Sequence, residues 1–174
     1  MADIAKSAGI SRQALYLHFP ARAELLIATT RHIDEKKNIE ARLASSRNAE
    51  TGIDRLNAYI EAWGNYIPEI HGVARALMAL QDSDAAAKLA WEDRMHAVRE
   101  GCEAAIKALR NDGVLSSDYT ISKATDILWA MLSVGQWELL TVTCGWSQSQ
   151  YIKLTKVIAC RTLLNQQTYQ MSRN

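Results

Sequence analysis

The chain is poor in the residues that build turns and cross-links. Its 174 residues include two prolines (Pro20 and Pro68), eight glycines and a single phenylalanine. That is too little punctuation for a series of hairpins, and it favours long helices over many short strands. Cys102, Cys144 and Cys160 are odd in number and form no CxxC pair. They read as reduced thiols of a cytoplasmic protein, not as a disulfide framework. No apolar run approaches the roughly 18 residues of a membrane span. Polar Asp3, Lys6 and Ser7 interrupt any signal peptide, so no membrane partner is expected. Charge of one sign is not in excess either. The net charge is +1, divided as +2 over residues 1–50 and −1 over residues 51–174, too weak by itself to indicate a polyanionic partner.

Signatures of catalysis are also missing. There is no Gly-rich phosphate loop, no HExxH and no nucleophile elbow. His32, His71 and His96 share no ligand spacing with a cysteine, and carboxylates such as Glu61, Glu69 and Glu92 are scattered along the chain. An enzyme is not expected, nor a metal or other cofactor.

What is present is apolar spacing of three and four residues. The pattern predicts helices over 2–8, 11–19, 21–46, 53–67, 73–81, 84–110, 121–143 and 147–169, with no convincing strand. Pro20 is expected to stop one helix and sit in the first turn of the next. The segments SSRNAETG and NDG are polar breaks, and Pro68 is expected to end its helix. The fold class is therefore all α.

The stretch DIAKSAGISRQALYLHF at 3–19 reads as two short helices around a tight turn. Gly9 supplies the left-handed residue that ends the first, and Ser11 caps the second. Ile4, Ala8, Ile10 and Leu15 are expected to make the contacts between the helices, with small Ala5 at their crossing. In such a unit the second helix enters the DNA major groove led by its N-terminal residues. Arg12 suits guanine and Gln13 adenine. Ser11, Tyr16, His18 and Arg22 can hold phosphates, which set register without carrying sequence. Ala14 is small enough to lie against a thymine methyl. Plainer readings stand beside these: Tyr16 as partial core, His18 as a solvated helix end, Arg12 and Gln13 as an ordinary wet face.

DIAKSAGISRQALYLHFPARAELL resembles the DNA-binding signature of the tetracycline-repressor (TetR) family of bacterial regulators. The matching parts are the IA..AG pattern, the Ser that opens the second helix, Tyr16 with Phe19, and Arg22 followed by Glu24-Leu25-Leu26. The resemblance implies an N-terminal helix-turn-helix followed by a helical ligand-binding and dimerisation domain. It also implies a helix before this signature, which the chain lacks, so a truncated three-helix unit is expected. An uncapped first helix and a core short of one wall would then bind DNA poorly.

The domain organisation expected is a helix-turn-helix unit over 1–22, a connecting helix over 23–46 and a ligand-binding and dimerisation domain over 47–174. All five tryptophans fall in the last of these. Aromatics at helical spacing are commonly plain core, yet a sensor of an apolar or aromatic small-molecule effector needs such a lining. Trp63, Tyr66, Met78, Trp91, Met95 and Trp129 are the candidates, with Arg94 or His96 for polarity. The last two helices resemble the pair through which family members form homodimers. Ile127, Leu128, Met131, Leu132 and Val134 supply an apolar surface on one, and Leu154, Val157, Ile158 and Leu164 on the other. A two-fold dimer would place two reading heads on a near-palindromic double-stranded operator. The function implied is a repressor released from its operator by the effector. The alternative is a helical dimer that binds a small molecule and no longer reads DNA.

Overall fold

The structure is a computed structural model and describes residues 1–171. Its elements are α1 (Ala2–Ser7), α2 (Arg12–His18), α3 (Arg22–Lys37), α4 (Ile39–Arg47), α5 (Gly52–Leu80), α6 (Ala85–Asn111), α7 (Ile121–Met131), α8 (Val134–Glu138), a π-helical turn (Leu139–Thr143), α9 (Gln148–Leu163) and α10 (Gln166–Met171). Among the described residues the only β-type pairing is an isolated bridge between Leu115 and Leu164. The chain is all α, with an N-terminal helix-turn-helix followed by a helical domain.

Local chemistry explains most boundaries. Gly9 at φ +68° ends α1. The N–H of Gly9 donates to the Lys6 carbonyl and that of Ile10 to the Ala5 carbonyl, the paired bonds of a Schellman ending. The Ser11 hydroxyl oxygen accepts from the Ala14 N–H at 3.0 Å and caps α2. Pro20 lies before α3, outside its first turn.

Several helices are divided differently from the periodic pattern. The expected helix over 21–46 breaks at Asn38, which takes φ 48° and caps α4 by accepting from the Ala41 N–H at 3.2 Å. Asparagine is among the few residues with a side chain that adopt this conformation readily. In contrast, α5 runs straight through Pro68. Proline lacks the N–H that would bond the carbonyl four residues back, at Gly64. The Gln148 amide donates to that carbonyl at 2.8 Å instead. The expected helix over 121–143 is interrupted where Ser133 caps α8 through the Gln136 N–H. The last one is interrupted after α9, where Ser116 donates to the Leu163 carbonyl and Asn165 to that of Val114.

The chain forms two compact units. The first comprises Met1–Lys37 with Gly72–Arg94, the second Asn38–His71 with Met95–Asn174. In the first, Ala23, Leu77 and Ala87 form a buried cluster, and Leu26, Val73, Leu80 and Trp91 pack against it. The core of the second includes Leu56, Ile60, Tyr66, Ile67, Ile106, Leu109, Leu128, Tyr151 and Leu163. Gly52 marks a close approach to neighbouring backbone: a Cβ there would fall 2.6 Å from the Leu109 nitrogen. The Gly52 N–H donates to the Asp112 carboxylate at 2.6 Å.

Candidate nucleic-acid interface

The helix-turn-helix buries less than its pattern suggested. Ala5 and Leu15 are its buried apolar residues, whereas Ile4, Ala8 and Ile10 are exposed. Small Ala5 thus sits where the helices meet, as expected. Its larger neighbours do not join it, because Ile4 and Ile10 lie on the outer side of α1 and its turn.

On α2, burial of Leu15 fixes which face is outward. Arg12, Gln13, Tyr16 and Leu17 are exposed, and Ala14 is half-buried. Residues four apart are neighbours on a helix surface, so Arg12 with Tyr16 and Gln13 with Leu17 make two adjacent rows. The Arg12 guanidinium lies over the Tyr16 ring, 5.4 Å from its centroid. Such a pair contributes about 0.5–1 kcal/mol at an exposed site. The Ser11 oxygen is engaged in its cap, which leaves its hydroxyl proton as the group able to meet a phosphate. His18 is exposed, its ring 6.5 Å from that of Phe19, and Arg22 is exposed at the start of α3. Leu17 is 79% exposed and was not anticipated. Its position two residues from buried Leu15, about 200° round the helix, was the available signal.

The aromatic candidates divide between the units. Trp63 and Tyr66 are buried in the second unit, their rings 5.8 Å apart. The Trp63 indole donates to the Leu132 carbonyl at 2.9 Å, and the Arg42 guanidinium lies 5.7 Å from the Tyr66 ring centroid. Trp129 and Met95 are half-buried in the same unit. Met78 and Trp91 belong to the first unit. Neither polar candidate stands free: Arg94 pairs with Asp34, and His96 lies 3.4 Å from Glu100 on its own helix. An open cleft of about 460 Å³ in the second unit is lined by Arg42, Ser45, Ala58, Glu61, Ala62 and Asn65, none of them among the expected lining residues.

A cluster missed by the pattern joins α5 to α8. The His71 ring lies 4.8 Å from that of Trp137, its Nε2 3.7 Å from Glu138. The Trp137 indole donates to the Gln148 side-chain oxygen at 2.9 Å. Burial holds the Tyr59 hydroxyl protonated well past its ordinary range, and it donates to the Val98 carbonyl.

The expected dimer surface is partly internal. Leu128, Leu132, Val134 and Leu164 are buried within the second unit, whereas Leu139, Val142, Leu154 and Ile158 are exposed. Leu164 follows the end of α9 and packs beside Leu115, which removes it from the outer face. Among the described residues, no helix is long and apolar enough to cross a membrane.

Residues 1–29 match the family model described as bacterial regulatory proteins, tetR family. No curated protein matches the chain. Among solved structures, a putative transcriptional regulator from Saccharomonospora viridis, in complex with choline, aligns with a TM-score of 0.77 at 16% identity. That alignment covers 94% of this chain and 86% of the other. The ketosteroid transcriptional regulator KstR2 of Mycobacterium tuberculosis aligns at 0.65 and 18% identity, over 95% of this chain and 84% of its own. The TetR-like regulator LfrR from Mycobacterium smegmatis, in complex with proflavine, aligns at 0.55 and 19% identity, over 91% and 81%. These likenesses show the fold over nearly the whole chain, and over residues 1–29 the chain is similar to the DNA-binding segment of the tetR family of bacterial regulatory proteins.

Proposed function

We propose that the chain is a ligand-responsive, DNA-binding transcriptional regulator, a repressor that a small-molecule effector releases from its operator. The observation that carries this reading is the outward row of α2: Arg12, Gln13 and Tyr16 exposed on a helix whose start is capped by Ser11 and whose inner face is held by Leu15. In this reading Arg12 and Gln13 read base edges, while Ala14 and Leu17 offer apolar contact to thymine methyls. Ser11, Tyr16, His18 and Arg22 hold phosphates. Residues 1–22 are then the reading unit, 23–46 the connection, and 47–174 the effector and dimer domain of a cytoplasmic protein.

Trp63, Tyr66, Met95 and Trp129, all of the second unit, are proposed as the wall met by an apolar or aromatic effector. Solved relatives holding choline and proflavine support a small-molecule role without identifying this chain's ligand. Exposed Leu139, Val142, Leu154 and Ile158 support a homodimer, whose two heads would meet a near-palindromic duplex. An effector lowers operator affinity only as far as it prefers the conformation that does not fit DNA.

Salt dependence tests the phosphate contacts of this reading. A duplex selected by the chain from random sequence should be bound with a steep salt slope. Arg22→Ala should reduce that slope by about one and weaken binding to all sequences alike. A slope and affinity unchanged by Arg22→Ala would remove Arg22 from the interface.

A further inference from the structure

The inner face of α3 changes character along its length. Ala23 and Leu26, near the start, join the apolar cluster with Leu77, Ala87 and Trp91. Thr30, one turn further on, is buried, and its hydroxyl donates to the Leu26 carbonyl at 2.8 Å. The next residue on the stripe is Asp34. There the helix is held by charge: both terminal nitrogens of Arg94 donate to one Asp34 oxygen, the first at 2.8 Å. Ala87, Trp91 and Arg94 form the facing stripe on α6, so α3 has an apolar anchor at one end and an ionic one at the other. Leu26 and Asp34 are about 12 Å apart along the helix.

Two features distinguish this pair from an ordinary surface ion pair. Its side chains are only 17% and 25% exposed, so each charge gives up hydration on pairing. The arrangement also leaves the Arg94 Nε–H buried without a hydrogen-bond partner. A guanidinium fitted side-on would satisfy Nε and one terminal nitrogen together on the two carboxylate oxygens. Semi-buried pairs of this kind contribute little net stability over apolar residues of the same size, but breaking one leaves an uncompensated charge. Such a contact suits an element that must occupy one defined position and be able to leave it.

We infer that Asp34 and Arg94 are a positioning pair for the reading unit. Their contact fixes the direction of the C-terminal half of α3, the helix that follows α1 and α2, and its loss frees that half while the Ala23–Leu26 anchor stays in place. Neither residue touches DNA. The pair acts through α3, and the part of the inference that concerns DNA rests on the function proposed above.

The test uses the full chain with Asp34→Asn, Arg94→Met and the exchanged pair Asp34→Arg with Arg94→Asp. Amide hydrogen exchange should rise about tenfold over residues 30–37 in each single variant. It should stay near wild type over 98–109 and return toward wild type over 30–37 in the exchanged pair. Asp34→Glu, which keeps the charge, is the rescue variant should the exchange of charges prevent folding. Exchange unaltered over 30–37 would overturn the inference. So would a uniform rise across α3 and α6, the mark of a merely stabilising contact. A duplex selected by the wild-type chain should be bound at least about tenfold more weakly by both single variants and recover in the rescue. Failure of the wild-type chain to select any duplex would refute the DNA reading alone, because the exchange pattern decides the positioning role independently.

Discussion

At the scale of single residues, the account turns on the outer row of α2. The outward placement of Arg12 and Gln13 was legible because a Ser cap and a buried Leu four residues further on fix the rotation of a short helix. The stacking of Arg12 on Tyr16 was less visible, since the same spacing equally suits two solvated side chains. Under the proposed function it would give Tyr16 two separable duties, a hydroxyl for phosphate and a ring that restrains Arg12. Tyr16→Phe keeps the ring and should weaken binding similarly on all sequences. Tyr16→Leu should in addition relax base preference where Arg12 reads, by about 0.5–1 kcal/mol, measured by competition between duplexes that differ at that base pair. Equal preference in Tyr16→Leu and wild type would contradict the restraining role.

At the scale of elements, legibility followed sequence separation. Gly9 ended α1 as its local pattern required, because all the bonds of that ending lie within six residues. Pro68 did not end α5, because the carbonyl it leaves without an amide is met by Gln148, 84 positions away. The same Gln148 accepts from Trp137, so one side chain ties the proline turn of α5 to α8. Gln148→Ala should cost about 1–3 kcal/mol by leaving buried polar groups without partners, read as a lower denaturant midpoint at an unchanged slope. Gly52 is another such element. Gly52→Ala must displace backbone of α6 and should destabilise the chain by about 2–4 kcal/mol. A variant as stable as wild type would show that the two helices separate more easily than this close approach implies. The break at Asn38 escaped the pattern for a related reason: a polar residue between two helical stretches looks the same whether or not it reverses its backbone.

For the whole molecule, helical class was legible from composition and spacing, whereas the division into compact units was not. α5 and α6 each contribute residues to both units, a grouping that no run along the chain reveals. The apolar surface on the last helices was half legible. Periodicity marks residues as apolar but does not say whether their partner is in the same chain, and Leu128, Leu132 and Val134 found theirs within it. Alkaline pH probes the integrity of the second unit as a whole. Burial pushes the Cys102 thiol up to about 12 from its ordinary 9.0, and raises the Tyr59 and Tyr151 hydroxyls as well. Groups raised on folding favour the native state below their unfolded values and withdraw that support as pH climbs toward the folded ones. Stability should therefore fall between about pH 9 and 12, followed by denaturant midpoints across that window. A flat profile would mean that these groups ionise without unfolding the chain.

The central claim is that α2 reads DNA sequence through Arg12 and Gln13, and selection of duplexes from a random-sequence library tests it most directly. The wild-type chain should enrich one near-palindromic sequence. The Arg12→Ala and Gln13→Ala chains should bind that sequence more weakly, by about 1–3 kcal/mol per lost base contact, and enrich sequences relaxed at one position in each half-site. Enrichment of the same sequence with the same affinity by all three chains, or of none by the wild type, would contradict it.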